Sequence, residues 1–238
     1  MGTLYVVGTP IGNLEDVSER VLNILAQVGL IASENPRRTQ RLLARYDIET
    51  PMMRFTDAYD RKKKGRMQAI LTALKEHDVA LVSEAGMPGL ADPGHELVAA
   101  VLAEGSPIVS VPGPTALGAA LSVAGLSFER FVFLGFLPRG TGKRRQLLRS
   151  LISSPFALVA YEAPHRLLDT LADLTELIPN RQVSAACELT KLYEEVRCGT
   201  AAALLAHYRA NRPRGEFTLV IAPPSLEASA AVEGRKGG

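Results

Sequence analysis

Apolar positions along the chain follow two spacings. Short apolar runs bounded by turn formers predict buried strands, and apolar residues recurring at i, i+3 and i+4 predict helices. Residues 4–7 are such a run, closed by the turn Gly8-Thr9-Pro10-Ile11-Gly12-Asn13. Val17, Val21, Leu25 and Val28 then repeat at helical spacing, with Asp16 and Glu19 placed as a capping box. Residues 30–33 predict a second strand, Pro36 opens a helix reaching Tyr46, and residues 57–76 predict a long helix with Met67, Ile70, Leu71 and Leu74 inward. A strand at 79–83 leads into a Gly- and Pro-rich loop ending at Gly94. A helix carrying Leu97, Val98, Val101 and Leu102 and a strand at 108–111 follow. Strands alternating with helices predict a mostly parallel sheet covered on both faces.

Pro112-Gly113-Pro114 interrupts this order and is the predicted hinge between two lobes, 1–112 and 113–224. The second lobe is expected to hold helices at 116–124, 144–153, 165–178 and 201–211. Its expected strands are 131–137, 156–161, 183–189, 192–198 and 217–222. The close pair around Thr190-Lys191 predicts a hairpin, so this sheet is expected to be mixed. Residues 225–238 lack periodicity and predict a disordered tail.

Composition adds limits. A hydrophobic fraction of 47% supports two cores, and no apolar run approaches the ~20 residues that cross a bilayer. Met1-Gly2-Thr3 enters the first strand without a basic leader, so no signal peptide is expected. Cys187 and Cys198 are too few for a disulfide framework or zinc site; a buried pair of free thiols in a reducing cytoplasm is expected, with no membrane partner. A net charge of +2 marks no nucleic-acid partner, but the basic residues cluster. Arg61, Lys62, Lys63, Lys64 and Arg66 form one group, Lys143, Arg144, Arg145 and Arg149 another, and Arg37, Arg38 and Arg41 a third. Each is either a phosphate-neutralising surface or a solvated helix face.

Several chemistries are absent. No Gly-x-Gly-x-x-Gly or Gly-x-Ser-x-Gly occurs. The segment 139–144 has Arg144 where a phosphate loop needs Ser or Thr, and four histidines lack metal-ligand spacing. What remains is three tight turns, each directly after a strand: 9–13, 83–94 and 112–116. In an open parallel sheet such turns share one rim where ligands bind, with small residues admitting close backbone approach.

These turns, in this order, together with Gly135-Phe136-Leu137-Pro138, Tyr161-Glu162-Ala163-Pro164-His165-Arg166, Glu188-Leu189-Thr190-Lys191 and Gly215-Glu216-Phe217, carry a resemblance. The chain resembles the tetrapyrrole methylase superfamily of S-adenosyl-L-methionine-dependent transferases. Within it, the chain is similar to the branch that 2′-O-methylates a cytidine ribose in the decoding region of 16S ribosomal RNA of the small subunit. The resemblance implies a two-lobed, class III α/β methyltransferase fold, a cofactor held between the lobes, and a homodimer. It implies cofactor contacts from Pro10, Gly12, Ser83, Gly86, Asp92, Gly113 and Thr115, closed by Tyr161, Glu162, Ala186 and Glu188. Asp92 reads equally as a helix N-cap.

Within the matching motifs, Lys191 is the candidate to stabilise a developing 2′-alkoxide, with Glu188 orienting it; the same pair reads equally as a structural ion pair. RNA contacts are expected from Arg37, Arg38, Arg61, Lys62, Lys63, Lys64, Lys143, Arg144 and Arg166. The chain departs from the family pattern in three places. Asn35-Pro36 replaces Asp-Thr, Glu84-Ala85-Gly86-Met87-Pro88 replaces Asp-Ala-Gly-Thr-Pro, and Thr56-Asp57-Ala58-Tyr59 replaces an acid- and histidine-rich stretch. A tetrapyrrole methyltransferase and a non-catalytic ribosome-assembly protein are the alternative readings.

Overall fold

The computed structural model describes residues 1–56 and 63–224. The first residues of the helix predicted from 57, the basic side chains of Arg61, Lys62 and Lys63, and the tail from 225 lie outside what is described. The chain divides into two compact units, the first Met1–Ala116, the second beginning at Leu117.

Unit 1 holds strands β1 (Leu4–Val7), β2 (Leu30–Ser33), β3 (Met52–Arg54), β4 (Val79–Val82) and β5 (Ile108–Val111). All pair in parallel, in the order β3-β2-β4-β1-β5. Alternate residues of the strands serve opposite cores, as the pleat requires. Val7, Ile31, Ala80, Val82 and Val111 pack with Val21 and Leu25 of α1 (Glu19–Gln27) and Leu42 and Leu43 of α2 (Pro36–Arg45). Leu4, Ala32, Val79 and Leu81 pack with Ile70 and Leu71 of α3 (Lys63–Ala73) and Leu97 and Val101 of α4 (His95–Ala103). From β1 to β3 the chain moves toward one edge, and from β3 to β5 it moves back past β1. Right-handed crossovers taken in opposite directions put helices on opposite faces and open a crevice between β1 and β4.

Two local expectations are corrected. Ser18, not Asp16, caps α1, accepting from the Val21 amide at 3.2 Å, while Asp16 ends a short 3-10 turn, Leu14–Asp16. The edge strand β3 was not expected, because three half-exposed residues carry no readable period.

Unit 2 contains β6 (Phe131–Phe136), β7 (Ala157–Glu162), β8 (Gln182–Cys187), β9 (Glu195–Thr200) and β10 (Phe217–Ile221), in the order β6-β7-β10-β8-β9. β6 runs parallel to β7, while β10 is antiparallel to β7 and β8, so the sheet is mixed as expected. Helices α5 (Ala116–Val123), α6 (Thr141–Leu151), α7 (Pro164–Leu177) and α8 (Ala201–Ala210) accompany it. Its core joins Leu167, Leu171 and Leu174 of α7 to Leu204 and Tyr208 of α8 over Val183, Ala185, Leu219 and Ile221.

The β8–β9 hairpin pairs Ser184 with Cys198 and Cys187 with Glu195, so the cysteines do not face each other. Cys187 is buried and Cys198 exposed, which corrects the expected buried pair. β9 begins later than expected, because Leu192 and Tyr193 occupy the turn before it, 87% and 78% exposed. Among the described residues, no helix is long and apolar enough to cross a membrane.

Candidate functional site

The three tight turns of unit 1 are joined main chain to main chain. Thr9 and Gly86 form an antiparallel bridge, Thr9 N–H donating to Gly86 O at 2.9 Å and Gly86 N–H to Thr9 O at 3.0 Å. Gly8 and Gly113 touch so closely that a Cβ on Gly113 would lie 2.5 Å from Gly8 O. Only glycine fits such an approach. Gly86 holds φ +79°, and the Ser83 hydroxyl donates to Ala85 O at 3.2 Å, fixing the turn after β4. Pro10, Gly12 and Ser83 thereby line one cleft with Thr9, Arg38 and Glu84. At this rim the Thr9 hydroxyl is buried and meets no hydrogen-bond partner, a cost that native structures rarely leave unmet. Asp92 is not the cap of α4; Gly94 holds that place with φ +141°. Thr115 directly precedes α5.

Beside this cleft lies a polar knot. Arg38 Nη1 donates to Glu84 Oε1 at 2.6 Å, Asn35 Nδ2 to Glu84 Oε2 at 3.2 Å, and the Glu84 amide to Glu34 Oε2 at 2.9 Å. Asn35 also caps α2, its side chain accepting from the Arg38 amide. Arg37 and Arg54 share the adjoining depression with Glu34, Asn35 and Thr56. Arg54 was missed in the sequence because its strand was.

In unit 2, the turn after β8 presents Lys191. Its ammonium donates to Glu188 Oε1 at 2.8 Å and Glu216 Oε2 at 2.9 Å. Glu188 and Thr190 hold φ of 50° and 65°, a conformation non-glycine residues adopt at a cost of order 1–3 kcal/mol each. Gly215 makes room for the arrangement, since a Cβ there would strike Glu188 Cδ at 2.3 Å. Burial lowers the Lys191 pKa, but the hydrogen bonds to Glu188 and Glu216 outweigh it and the net shift is upward. Lys191 is therefore a cation at neutral pH. Two of its three N–H groups are taken. Glu216 was not singled out in the sequence, although its Gly215-Glu216-Phe217 block was visible there.

Three expected contacts are corrected. Arg144 is 2% exposed, and its Nε donates to Asp173 Oδ2 at 2.6 Å inside unit 2, so it cannot meet RNA. Arg166 donates to Leu137 O at 2.6 Å and Pro138 O at 3.1 Å and pairs with Glu162 at 3.2 Å, which occupies it as an internal brace. Glu162 is 1% exposed, with one oxygen accepting from the Ala163 amide and the other from the Thr170 hydroxyl, so its carboxylate is spent within its own unit. Tyr161 sits edge-on to Phe133 and Phe136 at 5.0 and 5.6 Å, and Ala186 is buried on β8 opposite Thr218. Lys64 and Lys143 are exposed, and Arg38 is 39% exposed beside Glu84.

The family model for tetrapyrrole (corrin/porphyrin) methylases matches residues 3–205. The chain belongs to this family. The membership fits a parallel sheet with knotted turns at one rim and a separate mixed sheet. Among relatives, the chain is 46% identical over 222 residues to Ribosomal RNA small subunit methyltransferase I of Thermotoga maritima, covering 93% of this chain and 98% of that protein. It is 43% identical to the protein of the same name from Pseudomonas aeruginosa, covering 93% and 79%. Among solved structures, a cobalt precorrin-4 methyltransferase superposes with a TM-score of 0.70 at 16% identity, covering 92% of this chain and 94% of that one. The uroporphyrin-III-C-methyltransferase of Thermus thermophilus does so with 0.62 at 20%, with the same coverages. The two superpositions establish the fold. Nothing more rests on them.

Proposed function

We propose that this member of the family is an S-adenosyl-L-methionine-dependent methyltransferase of small-subunit ribosomal RNA. Its target on this reading is the 2′-hydroxyl of a cytidine ribose in the decoding region of 16S RNA. The observation that carries the reading is the near full-length likeness, at 46% identity, to a protein named for ribosomal RNA methylation. The geometry of unit 1 fits the cofactor. The glycine contacts leave a bare main-chain floor, and the unpaired Thr9 hydroxyl awaits a polar partner there. Pro10, Gly12, Ser83, Gly86, Asp92, Gly113 and Thr115 are the residues proposed to hold it. Tyr161 and Ala186 are the candidates from unit 2.

When bound, the cofactor supplies an activated methyl group. The chain's task is alignment of the acceptor oxygen, worth ~7–11 kcal/mol of the barrier when complete. Lys191, kept protonated by its two carboxylates, has no capacity to take the hydroxyl proton. It serves instead as a hydrogen-bond donor to the oxygen as negative charge develops there, with Glu188 aiming it and the hydroxyl proton passing to solvent water. Arg37, Arg38, Lys64 and Lys143, with Arg61, Lys62 and Lys63 beyond the described side chains, are the proposed phosphate contacts. The reading includes a homodimer working in the cytoplasm.

The test is methyl transfer from labelled cofactor to small ribosomal subunits and, separately, to a porphyrinoid. Mass spectrometry of 16S RNA from cells lacking the protein accompanies it. A missing ribose methyl on one cytidine, restored by the purified protein, is expected. Transfer to the porphyrinoid alone would overturn the reading.

A further inference from the structure

Unit 2 carries a pocket that the methyl-transfer reading leaves unused. It lies between the β8–β9 hairpin, the end of α8 and the segment 211–217, and encloses about 390 Å³. That volume falls within the range of ~300–1,000 Å³ common for small-ligand sites. Its floor is aromatic: Tyr208 and Phe217 stack edge to face at 5.4 Å, and His207 meets Tyr208 at 4.9 Å. Tyr208 is 3% exposed, yet its hydroxyl reaches no hydrogen-bond partner; Glu195 lies near but outside bonding geometry. A buried hydroxyl left so is a donor and acceptor waiting for a ligand.

The rim supplies charge. Arg197, Arg212 and Arg214 line the pocket with Glu188 and Glu195. Arg197 is paired to Glu195, and Glu188 to Lys191, which leaves Arg212 and Arg214 as the rim's surplus of positive charge. Both are exposed, and so is the neighbouring Tyr193. Aromatic faces beside guanidinium groups are the means by which proteins hold single-stranded nucleic acid: bases stack on the rings and phosphates meet the arginines.

We propose that this pocket seats one unstacked nucleotide of the single-stranded RNA around the target. Its base stacks on the exposed ring of Tyr193 at the rim, above the orphaned Tyr208 hydroxyl at the floor, and its phosphate meets Arg212 and Arg214. The inference rests on the RNA-methylation reading and adds to it a second anchoring point, separate from the basic helices of unit 1. Burial, reinforced by Glu195, pushes the Tyr208 pKa up, so the hydroxyl keeps its proton and donates to a base carbonyl or ring nitrogen.

The experiment uses the full chain and a fluorescein-labelled single-stranded oligoribonucleotide spanning the target sequence, titrated by anisotropy at several salt concentrations. Arg212→Ala with Arg214→Ala is expected to weaken binding tenfold or more. It should also lower the salt slope by about 1.4, the value for two phosphate contacts on a single strand. Arg212→Lys with Arg214→Lys keeps the charge and should restore the slope, which separates lost contacts from lost folding. Tyr208→Phe should weaken binding severalfold with the slope unchanged. Photocrosslinks from 4-thiouridine should map to the peptides holding Tyr193 or Tyr208. Wild-type affinity and slope in all these variants, with the unmodified protein still methylating subunits, would overturn the pocket and leave the function standing. An unmodified protein that neither binds the RNA nor methylates subunits would remove the function reading itself, and the pocket with it.

Discussion

Asn35 donates its side-chain amide to the Glu84 carboxylate at 3.2 Å, so two residues that the sequence marked as departures from the resembled pattern are in contact. Glu84 is also held by Arg38 at 2.6 Å. An aspartate at position 35 would set carboxylate against carboxylate, with only Arg38 between them. The amide turns that repulsion into a hydrogen bond, and the longer acid at 84 reaches it.

Asn35→Asp alone should therefore lower kcat/KM for subunit methylation about five- to tenfold. Adding Glu84→Asp, which shortens the second acid, should return part of the loss. Contacting residues couple by about 0.5–3 kcal/mol. A double-mutant cycle on kcat/KM measures this, and strict additivity would show the contact to be idle.

Gly113→Ala places a Cβ 2.5 Å from Gly8 O and must part the turns after β1 and β5. Cofactor affinity by calorimetry should fall at least tenfold. The thermal midpoint should drop as well, since main chain rather than a flexible side chain must move.

Lys191→Met should reduce single-turnover methylation by on the order of 10²–10³, the loss found on removing one oxyanion donor. Because its folded pKa lies above the ordinary 10.5, the lysine's ion pairs stabilise the fold at every pH below that value. The contribution fades only as pH rises through the raised pKa. The difference in urea midpoint between wild type and variant should thus be flat from pH 6 to 9 and shrink above roughly pH 10.5. A difference changing near pH 7 would show that Lys191 is not held as described.

Arg144→Ala leaves Asp173 paired to Arg145 alone, so the destabilisation should fall short of the roughly 3–5 kcal/mol of a buried charge left wholly unpaired. Urea unfolding reads this directly. The salt dependence of RNA binding should stay as in the wild type, unlike that of a Lys143 variant.

Iodoacetamide at pH 8 should label Cys198 and spare Cys187. Burial, with Glu188 and Glu195 adding to it, pushes the Cys187 thiol up to about 11, and the residue is enclosed. Peptide mapping after brief exposure decides it.

The parallel and mixed sheets were legible because buried strands carry unbroken apolar runs, and Val79–Val82 is buried at every position. The joined turns of unit 1 were legible because turns after strands expose their glycines and prolines in order. β3 was not, since Met52–Arg54 is too short to show a period. Charge misled at Arg144, where a basic cluster suggested a surface role, while Arg166 and Glu162, expected as phosphate and cofactor contacts, are engaged inside unit 2. Position held the correction for Arg144: it shares a helix face with Leu148 and Leu151, both packed into or against the core. Arg166 and Glu162, four residues apart, carried no such signal, because a strand end and a helix start brought them together.

On the proposed reading, the Thr9–Gly86 bridge and the Gly8–Gly113 contact would have the donor's seat shaped by peptide groups, with the flanking side chains, Met87 among them, only decorating it. A lineage can thus exchange what surrounds the seat, and so what receives the methyl, without recarving the seat itself. That is one physical route by which a single scaffold comes to serve acceptors as unlike as a macrocycle and a nucleic acid.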